Sequence, residues 1–153
     1  MKNAISTRIR FARNISGVKF LSAMKPEEKR ELLLKIKDTA KTLGEFDFID
    51  MSALSDIRAG ELVEKHLISP EFACDSIGRS FLLSKDEDIS IMINEEDHIR
   101  IQSVVAGFDP ESAFAFAGKA DDALSRNLNI AFSEKYGYLT HCPTNLGAAM
   151  RVS

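Results

Sequence analysis

The segment that most constrains this chain lies between residues 89 and 100, where an alternating apolar stretch meets a cluster of charges. Residues 89–93 read Ile-Ser-Ile-Met-Ile, the pattern of a β-strand, and residues 94–100 read Asn-Glu-Glu-Asp-His-Ile-Arg. Burying a strand that runs directly into carboxylates is costly unless a cation meets them. We therefore expect a guanidinium, an ammonium group or a metal ion opposite this strand end, and a functional site there. The alternative is an ordinary charged turn between strands.

Composition excludes several classes of protein. The chain has 153 residues, 44% hydrophobic and 28% charged, which is ordinary for one globular domain. A net charge of −3 gives no basic field for nucleic acid, and no apolar run approaches the roughly 20 residues that span a membrane. The N-terminus lacks the apolar core of a signal peptide. We therefore expect a cytoplasmic protein whose Cys74 and Cys142 stay reduced.

The order of the predicted elements favours an α+β fold with a largely antiparallel sheet flanked by helices. Residues 1–153 form a single domain in this interpretation. The strands are predicted at residues 5–12, 46–51, 81–83, 89–93, 99–105, 138–142 and 148–152, and the helices at residues 26–41, 56–67 and 110–132. Because the chain stops inside the last strand, we expect a domain that is truncated at its C-terminus.

Two further segments carry residues suited to phosphate chemistry. The period-two pattern of residues 5–12 places Arg8 and Arg10 on one strand face, where adjacent guanidinium groups suit a polyphosphate. The alternative is a solvated strand face. Cys142 begins a stretch that ends at Arg151, and this combination suggests a reactive thiol beside a phosphate-binding strand. The alternative is a cysteine that serves as a small core residue.

These three segments together resemble the catalytic domain of the ATP:guanidino phosphotransferases, the family of creatine kinase, arginine kinase and the bacterial protein-arginine kinases. The matching signatures are Ser-Thr-Arg-Ile-Arg at 6–10, Asn-Glu-Glu-Asp-His-Ile-Arg at 94–100 and Cys-Pro-Thr-Asn-Leu-Gly at 142–147, in family order. Lys-His-Leu-Ile-Ser-Pro at 65–70 and Leu-Leu-Ser at 82–84 look most like the bacterial protein-arginine kinases. The resemblance implies an enzyme that phosphorylates a guanidinium group with ATP, most of all on arginine side chains of proteins.

The resemblance also implies which residues bind the nucleotide. Arg8, Arg10, Arg100 and Arg151 match arginines that surround the ATP phosphates, and His66 matches a histidine beside the adenine or the ribose. A phosphoryl transition state that spreads its charge over several oxygens needs a positive clamp of this kind.

A second set of residues matches the guanidinium side of the family site. Glu96 matches the carboxylate that grips the substrate guanidinium and helps to remove its proton, and Glu95 matches the one that acts on Mg²⁺ through water. Cys142 matches the reactive cysteine next to the guanidinium nitrogen. The resemblance thus implies ATP and Mg²⁺ as cofactors and no metal site made by the protein itself.

The chain departs from the family pattern in two places. Residues 147–149 read Gly-Ala-Ala where the family usually has Gly-Thr-Gly, a change that affects the turn before Arg151. The family also continues for roughly another half domain, which carries a further arginine and a second guanidinium-binding carboxylate. These departures leave two alternatives open: a relative that binds nucleotide or guanidinium without turnover, and a kinase of free arginine or another small guanidino compound.

The resemblance implies partners as well. Proteins with exposed arginine residues would be the substrates, and Clp-type protease machinery and a stress repressor would be the regulatory context. We expect no nucleic-acid partner and no membrane partner, and a homo-oligomer is compatible with the sequence.

Overall fold

The computed structural model describes residues 6–153, so Ile5, which the alternation places in the first strand, lies outside the described residues. The strands are β1 Ser6–Arg13, β2 Phe46–Asp50, β3 Ser80–Ser84, β4 Ile89–Ile93, β5 Ile99–Ala106, β6 Phe132–Ser133, β7 Gly137–Tyr138 and β8 Met150–Val152. The helices are α1 Pro26–Ala40, α2 Asp56–Glu64, α3 Pro70–Cys74 and α4 Pro110–Asn127. Short 3₁₀ turns cover Leu21–Ala23, Lys41–Leu43, Met51–Ala53 and Pro143–Asn145.

One six-stranded sheet organises the chain. Its strand order is β2-β3-β4-β5-β1-β8, and every neighbouring pair is antiparallel. The strands β6 and β7 form a separate two-stranded ribbon. The predicted α+β class with a largely antiparallel sheet flanked by helices is therefore confirmed.

The two faces of the sheet carry different cores, because alternate residues of a strand point to opposite faces. On one face, apolar residues of the central strands pack against α1 and α4; they include Ile9, Phe11, Ile91, Ile99 and Ile101. On the other face, apolar residues of β3 and β4 pack against α2 and α3; they include Leu62, Phe72, Phe81, Leu83 and Met92. This second core covers only part of its face and leaves β1, the nearby half of β5 and β8 open.

The helices that close the first face begin and pack as the sequence predicts. In α1, Pro26 occupies the first turn and the Glu28 carboxylate accepts from the backbone N–H of Lys25 at 2.8 Å. In α4, the Asp109 side chain accepts from the backbone N–H of Ser112 at 3.0 Å. The buried face of α4 is rich in alanine, which lets this helix lie close to the sheet; its buried residues are Ala113, Ala117, Ala120, Asp121 and Leu124.

Several boundaries differ from the prediction. The helix α4 ends at Asn127 rather than at residue 132, because Ile130 instead bridges to Ile15 and residues 132–133 pair with β7. The short helix α3 was not predicted. It begins at Pro70, where the Ser69 side chain accepts from the backbone N–H of Phe72 at 3.1 Å.

The predicted strands near the C-terminus are shorter than expected. β7 stops at Tyr138: the Leu139 N–H still donates to the Ala131 carbonyl at 3.1 Å, but the Leu139 carbonyl accepts from the Asn14 side chain at 3.1 Å instead of from a neighbouring strand. β8 begins at Met150 because Ala149 has a φ of 46°, which interrupts the extended backbone.

Both cysteines are free, as predicted, with Cys74 exposed and Cys142 half-buried. Among the helices of residues 6–153, none is long and apolar enough to cross a membrane.

A buried ion pair fastens β1 to α4. Arg13 and Asp121 meet through two bonds of 3.0 Å, with side chains that are 4% and 12% exposed. Arg13 also donates to the Ala12 carbonyl at 2.9 Å, and its guanidinium lies 3.5 Å from the centre of the Tyr138 ring. The guanidinium is therefore satisfied on every side only while Asp121 is present.

We expect Asp121→Asn to lower the free energy of unfolding by about 3 kcal/mol, because it leaves a guanidinium buried without its counter-charge. Urea unfolding followed by circular dichroism measures the change. Asp38→Asn is the matched control, since the Asp38–Lys41 pair is 72% and 71% exposed and its loss is expected to leave the free energy of unfolding nearly unchanged. Equal effects of the two substitutions would contradict this account of the buried pair.

Candidate functional site

The open part of the second sheet face is lined by arginine residues. Arg10 lies directly opposite Arg151 of β8, and Arg100 lies opposite Ala12 of β1. Residues that oppose each other in antiparallel strands share a face, as do residues two apart on one strand. Arg8, Arg10, Arg100 and Arg151 therefore project from the same face of the sheet, although they come from three distant parts of the sequence.

These arginines repel one another. Burial, followed by the charges of Arg100, Arg8 and Arg151, lowers the pKa of Arg10 to about 10. Burial and the charge of Arg151 also lower the pKa of Arg8. Positive charges held together in this way attract anions, and a polyanion would relieve the repulsion.

A pair of carboxylates lies beside the arginines, at the end of β4. Arg100 contacts Glu95 at 2.9 Å and Glu96 at 3.4 Å, so it is the cation that meets the charged end of this strand. The Glu95 side chain is 6% exposed and accepts a further bond from the Ser69 hydroxyl at 3.2 Å, whereas the Glu96 side chain is 40% exposed. Glu96 is thus the carboxylate that an incoming ligand reaches more easily.

The next residue of this segment, Asp97, points into the protein. It is fully buried, and its Oδ1 accepts from the Asn14 side chain at 2.6 Å and from the backbone N–H of His141 at 2.8 Å. Asn14 also accepts from the backbone N–H of His98 at 2.9 Å. This network connects the loop that carries the carboxylates to the residue that precedes Cys142.

His98 connects residues 15–19 to the loop that carries Glu95 and Glu96. Its Nδ1 accepts from the backbone N–H of Ile15 at 2.9 Å, which assigns the proton to Nε2, and Nε2 donates to the Lys19 carbonyl at 2.8 Å. Burial lowers the pKa of His98, and the Lys19 carbonyl and Asp97 oppose this shift only in part. The neutral imidazole therefore holds residues 15–19 in place.

A cleft of about 980 Å³ brings the predicted site residues together. Every candidate residue except Cys142 lines it: Arg8, Arg10, His66, Glu95, Glu96, Arg100 and Arg151. His66 lies at one end, with Nδ1 at 3.1 Å from Nη1 of Arg8. Cys142 does not line the cleft; its Sγ lies 2.9 Å from Oγ1 of Thr144, which does.

Sequence reasoning missed several residues that line this cleft. Ser69 belongs to the 65–70 segment that carries the resemblance, but the resemblance gave it no role, and Arg79, a single polar residue in a loop, gave no recognisable signal. Arg79 donates to the carbonyls of Asn94 and Glu71 at 3.0 and 2.8 Å, and so supports the carboxylate loop from the side. Gln102 could have been found from the sequence, because it follows Arg100 by two residues on a predicted strand and therefore shares its face.

The Gly-Ala-Ala segment forms the turn that leads to Arg151. Gly147 has a φ of 108° and Ala149 a φ of 46°, and the Ala149 carbonyl accepts from the backbone N–H of Ala12 at 3.0 Å. The left-handed conformation at 149 suits glycine, the residue usual in the resembling family, and strains alanine. Arg151 nevertheless lies in the cleft, so the substitution has not displaced it.

Chemically, the cleft suits two ligands of opposite charge that meet at Arg100. The arginines would hold a polyphosphate, and Glu96 would hold a cation beside it. The described residues contain no group of three His, Cys, Asp or Glu side chains that could hold a metal ion. The cleft therefore presents a cationic surface and an anionic surface side by side.

Comparison with known proteins identifies the family. Residues 23–153 match the family described as ATP:guanido phosphotransferase, C-terminal catalytic domain, and the chain belongs to this family, whose members use ATP as a substrate. It is 44% identical to a protein-arginine kinase of Clostridium acetobutylicum and 46% identical to one of Geobacillus sp. (strain WCH70), over 97% of this chain in both cases. The chain spans 45% and 42% of the length of these relatives.

Solved structures support the same fold. The duplicated taurocyamine kinase from Schistosoma mansoni, with bound transition state analog components, matches with a TM-score of 0.91 and 28% identity, over 98% of this chain and 23% of that one. Lombricine kinase matches with a TM-score of 0.86 and 24% identity, over 99% of this chain and 47% of that one. The expectation of a guanidino kinase fold is thereby confirmed.

We expect the stability of the chain to fall as the pH drops from about 7 to about 5, and His98→Asn to reduce this slope. Because the folded-state pKa of His98 is lowered, the unfolded chain binds the proton first as pH falls through about 6.5. The contribution of a neutral His98 is therefore complete above that pH and is lost below it. Urea unfolding at several pH values measures the slope, and identical slopes in both proteins would refute the role of His98.

We expect Ala149→Gly to raise the free energy of unfolding by about 0.5–1 kcal/mol, because glycine adopts the left-handed conformation without strain. Ala148→Gly is the matched control: Ala148 has no positive φ, so glycine there adds only flexibility and is expected to destabilise the chain. Chemical unfolding measures both changes. A loss of stability in Ala149→Gly would contradict the strain described at this turn.

Proposed function

We propose that this chain carries the nucleotide-binding and guanidinium-binding groups of a protein-arginine kinase, which transfers the γ-phosphoryl group of ATP to arginine side chains of proteins. The observation that carries the proposal is one cleft in which arginines of β1, β5 and β8 lie beside Glu95 and Glu96. Membership of the guanidino phosphotransferase family and relatives that are called protein-arginine kinases support it.

The arginine set takes the ATP phosphates in this proposal. Arg8, Arg10, Arg100 and Arg151 surround the polyphosphate, and His66, which contacts Arg8, lies toward the adenine or the ribose. Mg²⁺ commonly keeps several waters and binds through phosphates and one or two carboxylates. Glu95 lines the cleft, and because Arg100 and Ser69 already contact its two oxygens, it would act on an Mg²⁺ ion that arrives with ATP through water and not as a direct ligand.

The guanidinium acceptor binds at Glu96 in this proposal. As the bond between the γ-phosphorus and the bridging oxygen of ADP breaks, the guanidinium nitrogen forms a bond to phosphorus and gives up a proton, which Glu96 accepts. Arg100 stabilises the negative charge on the transferred group. Since the protein forms no covalent intermediate, positioning and electrostatic stabilisation supply the rate. The thiol of Cys142 would orient the guanidinium from the other side.

A second candidate is a protein that binds these ligands without turnover. The observation that favours it is the position of Cys142, which does not line the cleft that holds Glu96. A kinase of free arginine or another small guanidino compound would use the same cleft, and the assay described below separates these possibilities.

The proposal also includes the substrates, the location and the partners of the protein. Proteins with accessible arginine residues are the substrates, in agreement with the names of the relatives. We further propose action in the cytoplasm, in connection with Clp-type protease machinery and a stress repressor, and assembly into a homo-oligomer.

We expect phosphoarginine on casein when the chain is incubated with ATP and Mg²⁺, and none with Glu96→Gln, which has no carboxylate to accept the proton. Mass spectrometry detects the acid-labile product, and calorimetry is expected to give ATP binding that is largely unchanged in the variant. Glu134→Gln, in the exposed turn between β6 and β7, is the control and retains activity.

The other outcomes assign the chain differently. Label on free arginine alone would make the acceptor a small guanidino compound. ATP binding without any label would favour the second candidate. Turnover in Glu96→Gln equal to that of the unmodified chain would refute the role of Glu96.

A further inference from the structure

Gln102 lies at the edge of the arginine-lined face, opposite Arg10 and two residues after Arg100 on β5. Residues opposite one another in the paired strands form a row across the sheet, and in order they are Leu83, Ser90, Gln102, Arg10 and Arg151. The row changes from apolar through neutral polar to cationic. Gln102 is 3% exposed and its remaining surface faces the cleft.

The Gln102 carboxamide is not used by the charged groups around it. Within residues 6–153, Arg100 directs its guanidinium to Glu95 and Glu96, and Arg8 directs its own to His66 and Ser153. No hydrogen bond among these residues involves the carboxamide. Gln102 lines the cleft, and its carboxamide atoms, unlike the Ser90 hydroxyl, are not sealed from it, so the amide is available to a ligand there.

The hydroxyl of Ser90, next in the row, is buried and also has no partner within the described residues. Ser90 does not line the cleft, whereas Gln102 does. A ligand that enters from the cleft therefore reaches the amide of Gln102 and not the hydroxyl behind it, which makes Ser90 a natural comparison for Gln102.

Charge explains why an amide suits this position. Burial and the neighbouring guanidinium groups already lower the pKa of Arg10 to about 10, so a further cation between Arg10 and Arg100 would add to the repulsion. A carboxamide donates an N–H bond without adding charge. It therefore adds a donor beside Arg10 and Arg100 without adding to the repulsion between them.

We propose that the Gln102 carboxamide donates a hydrogen bond to a phosphate oxygen of the bound nucleotide and so positions the polyphosphate between Arg10 and Arg100. The proposal rests on the nucleotide-binding function proposed above and adds a residue to it. Gln102 acts on the ligand through its amide N–H group and takes no proton from it.

Calorimetric titration of the chain with inorganic tripolyphosphate and with ADP tests this proposal. Gln102→Met keeps the length of the side chain and removes the donor, so we expect both affinities to fall about tenfold, as for the loss of a hydrogen bond to a charged group. Gln102→Glu places a negative charge under the phosphates, and we expect a larger fall. Ser90→Ala is the control and is expected to leave both affinities unchanged.

The outcomes separate this proposal from the function on which it rests. Unchanged affinities in Gln102→Met, with both ligands still bound by the unmodified chain, would overturn the role of Gln102 alone. A fall for ADP without a fall for tripolyphosphate would place the amide against the ribose or the base and overturn the phosphate contact. If the unmodified chain binds neither ligand, the nucleotide site itself is refuted.

A thermal melt followed by circular dichroism verifies that each variant is folded. If Gln102→Met does not fold, Gln102→Asn replaces it, because it keeps the amide and withdraws it by one methylene. We expect this variant to bind tripolyphosphate more weakly than the unmodified chain, and equal binding would overturn the proposal.

Discussion

The buried carboxylate of Asp97 holds together the parts of the chain from which the cleft is made. Through Asn14 and the backbone of His141, it joins the end of β1, the loop of Glu95 and Glu96 and the segment before Cys142. Hydrogen bonds to a buried charged group are strong and costly to leave unmade, so this connection resists separation of the three segments. The position of Glu95 and Glu96 therefore depends on a buried neighbour that does not line the cleft.

The antiparallel pairing of β1 with β8 accounts for the position of the arginines in the cleft. Arg10 belongs to the first strand of the chain and Arg151 to the last, yet they lie directly opposite each other. A shift of one residue in either strand would turn its arginine to the apolar face. The apolar side chains of that face, such as Ile9 and Phe11 of β1, fix the register. Packing on one face of the sheet thus positions charge on the other.

The fold class and the main strands could be predicted from the order of the elements and from period-two alternation. The resemblance to the guanidino kinases implied which residues would meet, and all of them except Cys142 line the cleft. The sequence did not predict the end of α4 or the shortness of β7, where long-range contacts of Ile15 and Asn14 decide the outcome. The separate roles of Glu96 and Asp97 were also beyond it. Both are acidic and adjacent, and only the turn of the chain directs one outward and the other into the protein.

The mutual repulsion of the arginines has a practical consequence. Among residues 6–153, Arg8, Arg10 and Arg151 make no ion pair, so a multivalent anion in solution would bind near them and stabilise the folded chain, since ligands that bind only the folded state stabilise it by mass action. Sulfate and phosphate buffers would then occupy part of the cleft, whereas chloride would leave it open. A buffer anion of this kind would compete with the nucleotide for the cleft. The stability measured for the chain without nucleotide would therefore depend on the buffer.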